Sequence, residues 1–241
     1  RKPLRALLLA AGLGTRLRPI SLETPKCLVK VGGQPLLKRW LICLERIGCE
    51  AALVNTHHLA EQVESFANNW KSSTMTLQTI HEPTLLGTAG TIISNRKFFD
   101  GSTGLLMHAD NFTNSNLIKF LEAHRTRQKG CLLTMLTFTS NKPHQCGIVR
   151  TDNNGVMQSF HEKIRNPPGN CANGAVYLFD QPFIDWLIGL NPFASDFSTD
   201  IIPHLTGKVQ TWHTEDIFID IGTPEALNQA NQIFNFADET N

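Results

Sequence analysis

The sequence lacks the features of membrane proteins and of broad nucleic-acid binders. None of its apolar runs is long enough to span a bilayer, and its first residues show no signal-peptide pattern. The 22 lysine and arginine residues almost balance the 21 aspartate and glutamate residues, so a net charge of +1 offers no broad basic face. The chain also starts without Met, which we interpret as a trimmed or processed end. We therefore expect a cytoplasmic protein with no membrane and no nucleic-acid partner.

Cysteine is present but is not clustered. The six cysteines form no C-x-x-C pair and stand at Cys27, Cys43, Cys49, Cys131, Cys146 and Cys171. A zinc site needs clustered ligands, and a disulfide framework is unusual in a chain this long with ordinary core composition. We expect reduced thiols, with Cys43 and Cys131 as small core residues in apolar segments.

The sequence also lacks both common nucleotide-binding signatures. In "LLLAAGLGTRLRP" (7–19) the Rossmann fingerprint G-x-G-x-x-G would need a third glycine where Leu17 stands. The P-loop pattern G-x-x-x-x-G-K-[ST] occurs nowhere. What remains is an apolar strand followed by Gly12, Gly14, Thr15 and Arg16. These residues predict either an anion-binding loop, with inward backbone N–H groups and an arginine fork, or a surface turn with solvated arginines.

Strand-like and helix-like segments alternate along the first half of the chain. The alternation predicts βαβ units with a mostly parallel sheet, and "DNNG" (152–155) predicts a hairpin in the second half. We expect one domain over 1–241. The predicted strands are 4–10, 51–55, 104–110, 131–138 and 173–179, and the predicted helices are 35–47, 59–69, about 115–127, 181–189 and 223–234.

Two aspartates stand in apolar surroundings. Asp110 closes the predicted strand "GLLMHAD", and Asp220 lies between Ile219 and Ile221. A carboxylate there is costly unless it is paired or bound to a metal. Each aspartate alone could be a helix cap or turn acid, but together the two could converge on one Mg²⁺, which takes a few carboxylates, waters and substrate phosphates.

Six motifs in chain order resemble the signature of sugar-1-phosphate nucleotidyltransferases, also called nucleotide-sugar pyrophosphorylases. The family pattern G-x-G-T-R-L-x-P followed by P-K is matched by Gly12, Gly14, Thr15, Arg16, Leu17, Pro19, Pro25 and Lys26. The other motifs are "LGTAG" (86–90), "HADN" (108–111), "FHEK" (160–163), "NGAVY" (173–177) and "FIDIGTPE" (218–225).

The resemblance implies a fold and a reaction. The fold is Rossmann-like, a three-layer α/β/α arrangement with a mostly parallel mixed central sheet. The reaction moves a nucleotidyl group from a nucleoside triphosphate to a sugar 1-phosphate, releases pyrophosphate and uses Mg²⁺. The nucleotide-binding half would be about 1–130 and the sugar-phosphate half about 131–241, and a homo-oligomer stays open.

The resemblance also assigns roles to individual residues. Arg16, Lys26 and Asp110 would be catalytic, and Asp110 and Asp220 would bind the metal. The nucleotide would lie against Ala11, Gly12, Gly14, Thr15, Arg16, Glu82, Gly87 and Thr88. The sugar phosphate would lie against Glu162, Lys163, Asn173, Gly174 and Asp200. Thr88 could instead cap the following helix, and Asp200 could equally be an acid at a helix N-terminus.

The choice of base depends on Glu82. Mannose-type guanylyltransferases of the family carry glutamate there, and thymidylyltransferases carry glutamine, although uridylyltransferases also carry an acid. A carboxylate can accept both N–H donors of guanine, which favours GTP with a mannose- or heptose-type sugar phosphate. One alternative is UTP or CTP with an amino-sugar phosphate or phosphocholine. Another is a non-catalytic nucleotide-sugar sensor, which predicts damage to catalytic positions that are all intact.

Overall fold

The structure is a computed structural model that describes residues 2–238. The described residues group into two compact units, and each unit is assembled from several stretches of chain. Unit 1 draws on Arg1–Arg5, Leu86–Met107 and Ser115–Asp216, and unit 2 draws on Ala6–Leu85, His108–Asn114 and Ile217–Asn241. The chain therefore passes between the units several times. The expected single domain with two functional halves stays a prediction.

Strands and helices alternate through most of the described chain. The strands are β1 (Leu4–Leu9), β2 (Lys30–Val31), β3 (Gln34–Pro35), β4 (Cys49–Thr56), β5 (Thr76–His81), β6 (Thr103–His108), β7 (Asn111–Thr113), β8 (Leu133–Thr139), β9 (Gly147–Thr151), β10 (Met157–Glu162), β11 (Cys171–Phe179), β12 (Val209–Thr214) and β13 (Phe218–Asp220). The α-helices are α1 (Ile20–Glu23), α2 (Leu36–Arg46), α3 (Ala60–Asn69), α4 (Gly87–Ser94), α5 (Leu117–Arg125), α6 (Gln181–Leu190) and α7 (Pro224–Asp238).

The segments predicted from hydrophobic pattern are confirmed to within a few residues at each end. The predicted hairpin is β9–β10, and its turn places Gly155 at a φ of 75°. The predicted cap of α7 is also present, since the Thr223 hydroxyl accepts from the Ala226 N–H at 3.2 Å. The predicted segments do not include the strands β2, β3, β5, β7, β12 and β13 or the helices α1 and α4.

Unit 2 is built on the run of small and apolar residues in β1. Ala6, Leu7 and Leu8 are fully buried there, as expected for a strand covered on both faces. β1 neighbours β4, and β4 pairs with β5 in parallel. The amphipathic helix α2 buries its apolar stripe, including Leu41 and Leu44.

A second apolar cluster of unit 2 lies under the segments that carry the motif residues. Its buried members are Leu17, Val29, Val31, Leu36, Phe112, Ile221, Leu227 and Ala230. Leu17 follows Arg16, Phe112 lies two residues after Asp110, and Ile221 follows Asp220. Burial of these three apolar neighbours therefore fixes the backbone from which each charged side chain projects.

Unit 1 is built around β11. This strand pairs antiparallel with β6, β8 and β9, and β12 pairs parallel with β8. The register of β11 against β8 shifts between Asn173 and Tyr177, with Ala175 at a φ of 53°. Below the strand lies an aromatic core in which Phe179 contacts Phe99 and Phe183.

A cluster of charged groups lies at the start of α6 in unit 1. The carboxylate of Asp180 accepts from the Thr103 hydroxyl at 2.9 Å and from the Arg127 guanidinium at 3.0 Å, and it pairs with Lys2. His124 is buried, with its Nε2 3.5 Å from Asp180. The side-chain interactions with His124 and Thr103 hold the pKa of Asp180 well below its usual range, although partial burial acts to raise it. Burial lowers the pKa of His124.

The cysteines are free thiols, as predicted. Burial raises the pKa of Cys27 to about 12 and that of Cys49 to about 11, so neither is a thiolate at neutral pH. Within residues 2–238, no helix combines the length and apolarity that a bilayer crossing would require.

Candidate active site

A short two-stranded ladder joins the two predicted metal ligands, which are far apart in sequence. β13 pairs antiparallel with β7 so that Asp220 lies opposite Asn111. One step along, the Ile221 N–H donates to the Asp110 carbonyl at 3.1 Å. The carboxylates of Asp110 and Asp220 therefore rise from adjacent backbone in unit 2.

Lys26 reaches Asp110 from the glycine-loop side. Its ammonium forms an ion pair with the Asp110 carboxylate, and both side chains are largely buried. The stem of Lys26 runs past Gly14, where a Cβ would lie 2.8 Å from Lys26 Cγ. Gly14 also has a φ of 65°, and the Ser21 hydroxyl donates to its carbonyl at 2.5 Å. Glycine is favoured at position 14 because other residues are strained at this φ and because a Cβ would force the lysine stem to shift.

Arg16 forms a looser pair with the other aspartate. Its Nη2 lies 3.9 Å from Asp220 Oδ2, and the two side chains are 69% and 57% exposed. A Cβ at Gly222 would lie 3.0 Å from the same Nη2. An exposed pair at this distance contributes little to stability, so the guanidinium keeps most of its donors for a ligand.

The neighbouring carboxylates repel one another. Partial burial and the Asp110 carboxylate raise the pKa of Asp220, while Lys26, Arg16 and His108 act in the opposite direction. Across the described residues, no group of three or more His, Cys, Asp or Glu side chains is arranged to hold a metal. Two carboxylates are nevertheless a donor set that fits Mg²⁺, which completes its shell with waters and substrate phosphates.

The glycine loop follows β1 directly. Ala11 is buried, Gly12 is exposed, and Thr15 opens a short 3₁₀ turn, Thr15–Leu17. A Cβ at Gly12 would meet no described heavy atom within 4 Å. The loop therefore presents an open surface beside the Lys26–Asp110 pair.

Glu82 follows β5 and is buried. Asn55, the last residue but one of β4, donates from Nδ2 to Glu82 Oε1 at 3.2 Å. The Oδ1 of Asn55 accepts from the Ala10 N–H at 2.6 Å, next to the glycine loop. Sequence reasoning missed Asn55, although a polar residue near the end of an apolar strand is the same signal that singled out Asp110.

In unit 1, the predicted sugar-side residues lie on and around the irregular part of β11. Asn173 Nδ2 donates to the Tyr177 hydroxyl at 2.7 Å, and Asn173 Oδ1 accepts from the Ala175 N–H at 2.8 Å. Burial raises the pKa of Tyr177, and the nearby carboxylates of Glu162 and Asp196 raise it further. Gly174 is part of the same irregular turn of strand.

Lys163 stands directly after β10. Its φ of 50° is uncommon for a residue with a side chain, and its ammonium lies 3.4 Å from Glu162 Oε1. The Lys163 N–H donates to the Cys146 carbonyl at 3.0 Å, which holds this turn against the end of the neighbouring hairpin strand.

The "LGTAG" motif is tied to the segment around Asp200. The Thr88 hydroxyl accepts from the Phe197 N–H at 2.7 Å, and the Ser195 carbonyl accepts from the Ala89 N–H at 2.8 Å. Gly87 has a φ of 79°, and a Cβ there would lie 2.4 Å from the Ser195 oxygen. The suggestion that Thr88 caps its own helix is wrong, because α4 begins at Gly87 and has no side-chain cap.

Asp200 holds its own segment together. Its Oδ2 accepts from the Ser195 and Asp196 N–H groups at 2.9 and 3.0 Å. These two hydrogen bonds lower the pKa of Asp200. The geometry is that of an acid at the start of a helical turn, one of the two roles expected from sequence, and a contact to sugar stays a prediction.

Known proteins resemble the chain over nearly its whole length. The family model described as nucleotidyl transferase matches residues 5–235. The catalytic subunit beta of mannose-1-phosphate guanylyltransferase from Drosophila melanogaster is 28% identical over 92% of this chain and 60% of its own length. The UTP–glucose-1-phosphate uridylyltransferase of Synechocystis is 27% identical over 91% of this chain and 60% of its own length. The chain thus spans about 60% of the curated relatives it matches.

The fold is shared with solved structures. HddC from Yersinia pseudotuberculosis, in a complex with GMP-PN, is 25% identical with a TM-score of 0.78 and covers 95% of this chain and 99% of its own. The predicted Rossmann-like three-layer α/β fold with a mixed central sheet is confirmed. With the motif residues and the family model in agreement, the chain belongs to the nucleotidyl transferase family.

Proposed function

We propose that the protein transfers a nucleotidyl group from GTP to a mannose- or heptose-type sugar 1-phosphate. An oxygen of the sugar phosphate forms a bond to the α-phosphorus as the bond to the β-phosphate oxygen breaks, and pyrophosphate leaves. The observation that carries this proposal is the convergence of Asp110, Asp220, Lys26 and Arg16 beside an open glycine loop.

The chemistry asks the protein mainly to position two polyanions and to neutralise charge. A phosphate monoester is already ionised near neutral pH, so no side chain needs to remove a proton from the nucleophile. Asp110 and Asp220 would hold Mg²⁺, which would supply positive charge to neutralise the phosphate groups. Lys26 fixes the Asp110 carboxylate through its ion pair, and it keeps further N–H donors that can point to phosphate.

Arg16 and the glycine loop would bind the triphosphate. The planar guanidinium of Arg16 is exposed and matches the geometry of phosphate oxygens, so it suits the departing pyrophosphate. Backbone N–H groups from Ala11 to Thr15 would bind phosphate from the other side, with Gly12 leaving room for close approach.

The residues of unit 1 would bind the sugar phosphate. Asn173 has its amide orientation fixed by Tyr177 and Ala175, so a sugar hydroxyl would meet a fixed polar group beside Gly174. Glu162 would accept from sugar hydroxyls, and Lys163 would pair with the phosphate. Asp200 would contribute through the segment that it shapes. Gly87 and Thr88, which contact the same segment, would bind the nucleotide.

Three observations support GTP as the nucleotide. Glu82 supplies a carboxylate that can accept from both guanine donors. The relative from Drosophila melanogaster is named a guanylyltransferase, and HddC was solved with GMP-PN. UTP is the second candidate, since the Synechocystis relative is named a uridylyltransferase and is almost as similar.

A matrix of four nucleoside triphosphates against a panel of sugar 1-phosphates, read by pyrophosphate release, tests the proposal. We expect release with GTP and a mannose- or heptose-type phosphate. Pyrophosphate release with UTP alone would show that UTP, and not GTP, is the nucleotide substrate. No release with any pair would favour a nucleotide-sugar sensor.

A further inference from the structure

Asn55 joins three strand ends of unit 2. It lies near the end of β4, and its side-chain amide reaches residues that follow the two neighbouring strands, β1 and β5. Ala10 follows β1 and donates its N–H to Asn55 Oδ1 at 2.6 Å, and Glu82 follows β5 and accepts from Asn55 Nδ2 at 3.2 Å. Asn55 and Glu82 are both buried, with 4% and 3% of their surface exposed. The side chain therefore acts as a buried crosslink between the glycine loop and Glu82.

The chemistry of these partners fixes which way the amide points. A backbone N–H can only donate, so the atom facing Ala10 must be the amide oxygen. The amide NH₂ group then faces Glu82, whose oxygen must accept. A reversed amide would set donor against donor and acceptor against acceptor. Asn55 thus requires a hydrogen-bond acceptor at Glu82 and links that acceptor to the Ala10 N–H.

We propose that Asn55 is a positioning residue for nucleotide recognition, which holds the Glu82 carboxylate as a base acceptor in register with the glycine loop. This inference rests on the proposed function, in which Glu82 reads the base. Guanine presents two adjacent N–H donors and uracil presents one, so a displaced carboxylate should weaken binding of GTP more than binding of UTP.

The test compares Asn55→Asp with the unsubstituted protein by isothermal titration with GTP and with UTP, in the absence of sugar phosphate. Aspartate still accepts from the Ala10 N–H but sets an acceptor against Glu82. We expect GTP affinity to fall about tenfold or more, as for loss of a hydrogen bond to a charged group, and UTP affinity to fall less than about threefold. Asn55→Ser, whose hydroxyl is too short to reach both partners, should also lower the ratio of GTP affinity to UTP affinity. This second variant keeps the test valid if the aspartate variant does not fold.

Two further variants separate positioning from simple support of the fold. In a Glu82→Gln background, Asn55→Asp should cause no further loss of the GTP-to-UTP ratio, because both changes act through the same carboxylate. Thr56→Val is the matched control, since this neighbouring buried hydroxyl contacts Glu64 and His81 and not the Glu82 side chain. It should lower Tm and leave the ratio unchanged.

An equal loss of GTP and UTP binding in Asn55→Asp, or an additive loss in the Glu82→Gln background, would overturn the inference. Equal binding of GTP and UTP by the unsubstituted protein would also overturn it. Selective binding without pyrophosphate release would instead contradict only the proposed function, so the two failures can be told apart.

Discussion

The ammonium of Lys26 pairs with the carboxylate of Asp110, and the aliphatic stem of the same lysine fills the space beside Gly14. One side chain thus links the glycine loop to a candidate metal ligand. The pair is largely buried, so each charge depends on the other for compensation. Mutations that remove one charge or both charges of this pair should therefore differ in their effect on stability.

Lys26→Met should destabilise the protein more than the double variant Lys26→Met/Asp110→Asn does. The single change leaves a buried carboxylate without its cation, whereas the double change removes both charges. We expect the single variant to lose roughly 2–4 kcal/mol of unfolding free energy, since loss of one partner of a buried pair is costly. Urea denaturation at neutral pH measures the unfolding free energy of the single and the double variant. Equal losses in the two would show that the Asp110 carboxylate does not depend on Lys26 for charge compensation.

Asp220→Asn should abolish the response of the protein to Mg²⁺. Because the pKa of Asp220 is raised in the folded state, this acid costs stability as pH rises above its unfolded pKa. Removing the carboxylate should therefore raise Tm slightly at neutral pH without metal. Mg²⁺ should raise Tm of the unsubstituted protein and not of the variant, by differential scanning fluorimetry against a chelator control. A retained Mg²⁺ shift together with retained pyrophosphate release would refute the metal assignment.

Arg16→Ala should affect nucleotide use far more than stability. The Arg16–Asp220 pair is exposed, so its loss should change unfolding free energy by less than about 1 kcal/mol. KM for the nucleotide should rise or kcat should fall, because the guanidinium would no longer meet the pyrophosphate. Steady-state kinetics at varied nucleotide concentration checks this, and an unchanged kcat/KM would exclude the role.

Gly14→Ala should destabilise the protein, whereas Gly12→Ala should have little effect on stability. Position 14 combines a positive φ with a clash against the Lys26 stem, and position 12 meets open space. We expect a difference of about 1–3 kcal/mol between the two variants. Chemical denaturation measures it, and similar losses at both positions would mean that the loop can rearrange.

Stability should fall as pH drops, with a contribution from the cluster around Asp180. The lowered pKa of His124 means that its contribution is present above the unfolded pKa of about 6.5 and is lost as pH falls below it. The depressed pKa of Asp180 adds a second loss that begins below about pH 4. Unfolding free energy measured from pH 8 to pH 3 should show both, and His124→Gln should flatten the change just below pH 6.5. If the slope of unfolding free energy against pH just below pH 6.5 were unaltered in that variant, groups other than His124 would cause that loss of stability.

Much of the fold could be predicted from hydrophobic pattern, because segments such as β1 and α2 carry strong local signals. The three-residue strands β7 and β13 carry none, since their pairing joins segments that are distant in sequence. Motif spacing located Asp110 and Asp220, but only the ladder explains how they meet. Asn55 shows the same limit, because its partners Ala10 and Glu82 follow two other strands and no local window of sequence contains all three residues.

The interleaved stretches of the two units set an order for synthesis. The last stretch of unit 1 ends at Asp216, and the stretch that completes unit 2 starts at Ile217. A growing chain therefore contains every residue of unit 1 before it contains the second carboxylate of the candidate site. A fragment that stops at residue 216 would keep Lys26 and Asp110 but would lack β13 and Asp220. It would also lack Ile221, Leu227 and Ala230, three buried members of the apolar cluster that contains Leu17. The Lys26–Asp110 ion pair would then be present without Asp220, the second carboxylate of the candidate metal site.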